Sequence, residues 1–256
     1  MTAVAAVARP RASTLDFYGW MALACVATAF LGFVPTYWGP LAAGKFAANP
    51  IVHIHGLVMF SWTLFAFFQA SLVSAGKVAL HRAVGLVGIS LATLVTTVAV
   101  LAALNSLRSD MAAGGGREAE AFLIVPLSVI VPFAALVALA IANIRRPEAH
   151  KRLMLAATIS LLNAPVARPL LTWVWPVDPP PVWINIPACY LSYVLFVPAL
   201  AHDWRTRGAP HRVYLIAIPI MAVLAAAVVP ISGTAAWHEI ARGFASLAGA
   251  FPERPA

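Results

Sequence analysis

The stretch LMLAATISLLNAPVARPLLTWVW, residues 153–175, is an apolar run long enough to cross a lipid bilayer. A membrane-spanning helix needs about 20 apolar residues, each of which adds about 1.5 Å. The run holds one formally charged side chain, Arg168, between Pro165 and Pro169. Because each proline removes a backbone donor, we expect the helix to be irregular there. Because a charge at membrane depth is costly, it needs a partner or a function. The stretch therefore predicts a membrane helix and makes Arg168 the first candidate for a functional residue.

The rest of the chain has the same character. Hydrophobic residues make up 62% of the 256 residues and charged residues 10%, against about 45–50% and 25% in soluble proteins. Seven apolar runs are long enough to span a membrane: 17–37, 51–74, 83–104, 121–144, 153–175, 182–201 and 213–232. We predict an all-α, polytopic protein with a seven-helix membrane domain at 17–232. A tail at 1–16 precedes this domain, and a segment at 233–256 follows it.

Lys and Arg residues are distributed unevenly over the predicted loops. Of the 17 such residues, eleven lie on the side that carries the N-terminus, five lie on the opposite side, and Arg168 is the remaining one. Because Lys and Arg are in excess in cytoplasmic loops, we predict a cytoplasmic N-terminus and an outer C-terminus. The predicted location is the inner (cytoplasmic) membrane of a bacterium. The net charge of +8 then reflects topology and attraction to anionic lipid, and we expect no nucleic-acid partner.

The segment after the seventh run has a helical pattern of its own. Trp237, Ile240 and Phe244 recur at helical spacing, opposite His238 and Glu239. This pattern is typical of an amphipathic helix that lies on a membrane interface. We expect such a helix on the outer side.

Polar residues near the outer helix ends form a first group, which we call the outer layer: His53, His55, Asn163 and Arg168. His55 lies about 6 Å and Arg168 about 10 Å inside the predicted ends of their spans, so the two are expected to meet. Residues two apart point to different sides of a helix, and we expect His55 rather than His53 to face the bundle.

Two interpretations of the outer layer are open. In the first, Arg168 reaches the headgroups or pairs with Glu120 as a structural contact. In the second, Arg168 binds an anionic group such as a carboxylate, a quinone oxygen or a haem propionate, and His55 acts as a ligand or proton carrier.

A second group, the inner layer, lies near the predicted cytoplasmic ends: His81, His150, His202, Asp203 and His211. Small residues share the helix faces of His81 and His150, and two such histidines from facing helices can hold haem iron. Alternatively, His81, His150, Asp203 and His211 form a zinc site. In a third interpretation they bind nothing, because histidines and basic residues are common at the cytoplasmic starts of membrane helices, where they set the topology.

Four motifs carry a resemblance: His53-Ile-His55-Gly56, Leu80-His81-Arg82, His150-Lys-Arg-Leu-Met154 and Asn163-Ala-Pro165-Val-Ala-Arg168. Together they resemble a bacterial family of predicted seven-helix membrane proteins of unknown function. The His-Lys-Arg-Leu-Met motif also looks like that of small membrane proteins associated with terminal oxidase assembly and haem.

Two further resemblances are looser. Similarity to the ascorbate-reducible cytochrome b family implies His81 and His150 as an inner haem pair, but the fourth span lacks a histidine for an outer pair. This leaves at most one bis-histidine haem. Similarity in helix count to seven-helix zinc hydrolases of the adiponectin-receptor type implies histidines on the last span, which has none.

These observations lead to three hypotheses about function. The first is a redox-linked membrane protein that binds haem b or a quinone-like ligand and serves electron transfer or assembly of a respiratory complex, with a respiratory-chain or quinone partner. The second is a zinc-dependent membrane hydrolase, and the third is a transporter or receptor for a small amphiphile. Whether the protein is an enzyme stays open, and a homo-oligomer is compatible with each hypothesis.

Overall fold

The computed structural model describes residues 15–46 and 49–249. The predicted tail at 1–16 lies outside the described residues except for its last two, and so does the chain from residue 250 onwards. The described part is helical throughout, without strands. Its α-helices are α1 (Phe17–Gly32), α2 (Gly39–Ala42), α3 (Pro50–Ser74), α4 (Val78–Ala112), α5 (Gly116–Phe122), α6 (Ile124–Ala142), α7 (Pro147–Ser160), α8 (Asn163–Pro169), α9 (Asn185–Tyr193), α10 (Phe196–Arg207), α11 (Arg212–Ser232) and α12 (Ala235–Gly249).

Seven helical stretches of the described chain are long and apolar enough to cross a membrane, which confirms the predicted number of spans. They are Phe17–Ala42, Pro50–Ser74, Val78–Ala112, Gly116–Ala142, Pro147–Val174, Val182–Arg207 and Arg212–Ser232. The largest difference from prediction is α4, which continues well past the expected end at residue 104. Its polar last turns need no apolar surroundings to stay helical, and the helix ends just before Gly114, whose φ of 90° suits glycine.

Local sequence explains several helix boundaries. Asn49 accepts a hydrogen bond from Ile51 N (3.1 Å) ahead of Pro50, as its cap position predicts. Asp16 does the same for α1 by accepting from Gly19 N (2.8 Å). Gly208 ends α10 with a φ of 78°. These caps satisfy backbone groups that would otherwise lack partners at the helix ends.

Helix α7 lies at the centre of the bundle and packs against α1, α3, α6, α9 and α11. Its alanines, among them Ala156 and Ala157, are fully buried. Small side chains let neighbouring helices approach closely, which is how helices pack inside a membrane. The first half of the fifth span is therefore enclosed by the other helices.

Helix α12 confirms the predicted helix after the seventh span, but not the predicted polar face. It packs against α4 and α5 through Ala241, and His238 is buried rather than exposed. Ile240 and Phe244 of the predicted apolar face are exposed on the surface of the described chain. The reason is a buried acceptor on α5, the carboxylate of Glu120, which turns the helix so that His238 meets it.

Candidate functional site

Two membrane spans depart from regular α-helix where the outer layer lies. In the first span, the segment Val34–Trp38 has π-helical hydrogen bonds, and in the fifth span Leu170–Val174 does. Trp38 N donates to Phe33 O (3.1 Å), five residues back instead of four. Pro35 and Pro169 lie at these segments, and proline removes the donor that a regular turn needs.

The fifth span is also interrupted at Leu161 and Leu162, between α7 and α8. The irregularity expected around Pro165 and Pro169 is thus present on both sides of Arg168. Irregular backbone at membrane depth is tolerated where protein or a cavity surrounds it.

A close contact between α1 and α8 holds the two irregular spans together. A Cβ on Gly32 would collide with the carbonyl oxygen of Pro165. No other residue type fits this crossing without displacement of one helix. The contact places the end of the first span beside the turn that carries Arg168.

Aromatic rings line this part of the bundle. Trp38 stacks on Phe30 (ring centroids 5.6 Å) and lies 5.0 Å from Phe60, which is also 5.7 Å from Phe33. We call these four residues the aromatic cluster. The guanidinium carbon of Arg168 lies 5.8 Å from the Phe33 ring, close enough for a cation–π interaction.

The Arg168 side chain is exposed on the surface of a membrane-spanning stretch, and it forms no ion pair or side-chain hydrogen bond within the described chain. His55 lies within electrostatic range of the Arg168 charge. The Nδ1 atom of His55 and the Nε1 atom of Trp38 are buried without hydrogen-bond partners among the described residues. Three polar groups of the outer layer therefore have unused hydrogen-bonding capacity: Trp38 within the aromatic cluster, Arg168 beside Phe33, and His55.

The other two outer-layer residues are engaged elsewhere. His53 Nδ1 bonds with the hydroxyl of Tyr37 (3.1 Å). Asn163 donates to the side-chain oxygen of Asn185 (3.0 Å), and both residues are buried. These bonds connect the irregular turns to α3 and α9, so His53 and Asn163 support the layer rather than line its free part.

Glu120 is not the partner of Arg168. Its carboxylate accepts from His238 Nδ1 (2.7 Å), its backbone oxygen accepts from Trp237 Nε1 (2.9 Å), and Arg242 lies 3.9 Å away. The structural pairing considered for Arg168 and Glu120 is therefore replaced by an anchor for α12.

In the inner layer, Arg152 is the central residue, although the sequence pattern did not single it out. Its side chain is 1% exposed and forms a bidentate pair with the fully buried Asp203. It also donates to Glu148 Oε2 (2.7 Å), and Asp203 accepts from His211 N (2.9 Å). We call Arg152, Asp203 and Glu148 the inner ion cluster.

The position of Arg152 at a helix start made it look like a topology-setting charge. One sequence signal pointed the other way, because Glu148 lies four residues earlier on the same helix face. The contact with Asp203, 51 residues away, has no local signal.

His211 and His202 take structural positions near the inner ion cluster. His211 Nδ1 accepts from Val213 N (3.2 Å) as the cap of α11. Burial lowers the pKa of His211, and the nearby charges of Arg152 and Arg207 lower it further. The His202 ring stacks on Phe17 (3.9 Å).

His81 and His150 lie together, with ring centroids 6.4 Å apart and ring planes at 80°. His150 Nδ1 donates to Ala140 O (2.9 Å), which leaves its Nε2 as an acceptor. The Gln69 amide is oriented so that its nitrogen donates to His81 Nδ1 (2.7 Å) and its oxygen accepts from Gly85 N (3.2 Å). In this arrangement the Nε2 of His81 carries the proton. The pair thus offers one donor and one acceptor.

The four residues of the predicted zinc site are not brought together. Asp203 is engaged by Arg152 and His211 N, whereas His81 and His150 form their own pair. Within the described ranges, no group of three or more His, Cys, Asp or Glu residues is arranged to hold a metal ion.

Comparison with known proteins adds no further constraint: no protein-family model, curated protein or solved structure matches the chain significantly.

Proposed function

We propose that this protein binds a small amphiphile of the quinone type in the outer layer and has a redox-linked role in the membrane. That role is electron transfer or assembly of a respiratory complex, in a bacterial cytoplasmic membrane with the N-terminus inside. The observation that carries the proposal is Arg168, which lacks a carboxylate partner in the described chain, lies beside the aromatic cluster and is within electrostatic range of His55, whose Nδ1 is unpartnered.

The charge of Arg168 requires compensation. An arginine in a membrane-spanning stretch is less hydrated than one in a loop, even where its side chain is exposed, and its five donors favour oxygen acceptors. The two buried carboxylates of the described bundle are already engaged, Glu120 by His238 and Asp203 by Arg152. A carbonyl or phenolate oxygen of a ligand would supply the missing acceptor.

The surroundings suit a flat ring. The aromatic cluster lies next to Arg168, and aromatic rings pack against one another in offset or edge-to-face geometry. His55 Nδ1 has a free hydrogen-bonding position, which can bond with an oxygen at the edge of such a ring.

A b-type haem at His81 and His150 is the second candidate. It is favoured by the approach of the two rings to 6.4 Å and by the hydrogen bond that orients each Nδ1. Iron needs a lone pair from each coordinating nitrogen, so His81 would have to change tautomer and the Gln69 amide would have to turn. Because both changes cost free energy, we rank haem at the inner pair below a quinone-type ligand in the outer layer.

The zinc hydrolase is not carried forward, because Asp203 is committed to Arg152. A transporter or receptor for a small amphiphile would use the same outer site, and the ligand found in that site would distinguish these roles.

The test is binding of decylubiquinone to purified protein, with Arg168→Gln as the variant. Arg205→Gln is the matched control, since Arg205 is exposed and distant from the outer layer. We expect Arg168→Gln to raise the Kd about tenfold or more, the effect of losing a charged hydrogen bond, and Arg205→Gln to leave it unchanged. No binding to the wild type, or equal Kd values for all three proteins, would refute the proposal.

The same preparations test the haem candidate by their absorbance. A Soret band that disappears in His150→Ala supports haem at the inner pair. A colourless wild-type protein from haem-replete cells excludes it and leaves the quinone result unaffected.

A further inference from the structure

A groove on the lipid-facing side of the bundle lies between α6 and α11, away from the outer layer. Its volume is about 410 Å³, within the range of about 300–1,000 Å³ found for ligand sites. The floor is closed by α7, whose Ala149 and Leu153 are buried behind the gap. Small side chains at Ala135, Ala149 and Ala217 keep the space open.

The dimensions of the groove match one lipid chain in one leaflet. Its α11 wall runs from Arg212 to Leu224, which is about 18 Å of helix. Half of a bilayer's hydrocarbon core is about 15 Å thick. Side chains along this length are apolar, so the groove favours an acyl chain and disfavours a free water-soluble anion.

One end of the groove is polar and basic. Arg212 and Asn143 line it there, and no Asp or Glu is among the residues that line the groove. Arg212 is exposed and forms no ion pair within the part of the chain that the structure describes. Arg145 and Arg146 follow directly after α6 on the same side. An apolar channel with a cationic mouth complements a lipid that carries an anionic headgroup.

We propose that this groove is a binding site for one anionic phospholipid, whose phosphate lies at Arg212 and whose acyl chain lies along α6 and α11. The site is distinct from the outer layer, and its occupancy does not depend on a quinone. Basic pockets between membrane helices commonly bind anionic headgroups in this way.

Native mass spectrometry of the detergent-purified protein tests the site with dioleoyl phosphatidylglycerol and dioleoyl phosphatidylcholine. These probes share acyl chains and differ in headgroup charge. We expect the wild type to prefer one phosphatidylglycerol, and Arg212→Gln to lower that preference about fivefold, the contribution of one basic residue near a headgroup. Arg212→Lys should retain most of the preference.

Two further variants separate the groove from general surface charge. Arg205→Gln removes an exposed arginine that does not line the groove and should leave the preference unchanged. Ala135→Trp fills the groove at an exposed position, so it should fold normally and reduce binding of both lipids. Equal binding of the two lipids by the wild type overturns the proposal. So does an equal loss in Arg212→Gln and Arg205→Gln, or unchanged binding in Ala135→Trp.

Discussion

Arg152 and Arg168 lie on the same membrane span, but only the charge of Arg152 is neutralised by carboxylates of the bundle. Arg152 is 1% exposed and shares two carboxylates, Asp203 and Glu148. Arg168 is accessible, lies over the Phe33 ring and has no carboxylate partner in the described chain. A charge that the fold neutralises with its own side chains is structural, whereas one that it leaves open is available to a ligand.

The backbone also differs between the two sites: it is regular around Arg152 and irregular around Arg168. Arg152 lies in regular α-helix at the centre of the bundle, and its neighbours are held by hydrogen bonds and helix caps. Arg168 lies between a helix break and a π-helical segment. Irregular turns of this kind are found at functional sites more often than chance predicts, which agrees with the contrast in charge pairing.

The largest expected effect is on stability, from Arg152→Met. Removal of one partner leaves Asp203 as a buried, uncompensated charge, which costs about 3–5 kcal/mol. Thermal unfolding in detergent should show a large loss for Arg152→Met and partial recovery in the double variant Arg152→Met/Asp203→Leu. Arg168→Met is the control and should be as stable as the wild type, because it breaks no ion pair. A comparable loss of stability in Arg168→Met would show that both arginines are structural and would contradict the comparison.

A smaller effect is expected from Gly32→Ala, which changes only the α1–α8 contact that supports the outer layer. The added methyl group collides with the Pro165 backbone and should cost about 1–3 kcal/mol as the helices separate. Decylubiquinone binding should weaken at the same time, because the aromatic cluster moves away from Arg168. Gly85→Ala adds the same methyl group where nothing lies within 4 Å. If Gly32→Ala binds and unfolds like Gly85→Ala, the α1–α8 crossing does not position the site.

The smallest effect concerns pH and the inner ion cluster. The folded protein keeps the His211 ring neutral by lowering its pKa below the usual value of about 6.5. This stabilisation is therefore complete above about pH 6.5 and is lost as the pH falls through the lowered pKa. His211→Asn keeps a cap acceptor without a titrating group. Between about pH 7.5 and about pH 5.5, the variant should lose less thermal stability than the wild type. An identical pH dependence would show that His211 titrates equally in both states.

Part of the candidate site was predictable because it depends on spacing along single helices. His55 and Arg168 were expected to meet from their depth in the membrane, and the structure places them within electrostatic range of each other. The pairing of His81 with His150 likewise followed from their positions at two helix starts. Depth is a function of helical rise alone, so it needs no knowledge of the packing.

The partners of buried charges were not predictable in this way. Glu120 was considered for Arg168 and instead binds His238 on α12. Asp203 was considered as a metal ligand and instead neutralises Arg152. In each case several cations of similar depth competed for one carboxylate, and only the rotation of each helix about its axis decides which of them reaches it.

The sequence by itself determined the seven membrane spans, the helix cap at Asn49 and the irregular turn around Arg168. These follow from apolar length, hydrogen-bonding capacity and the missing donor of proline, which are properties of short segments. The tertiary structure alone decided that Arg152 is neutralised, that Arg168 is left open beside an aromatic cluster, and that a groove remains between α6 and α11. Those outcomes depend on how helix faces meet, and a helix face acquires its partner only when all the spans pack together.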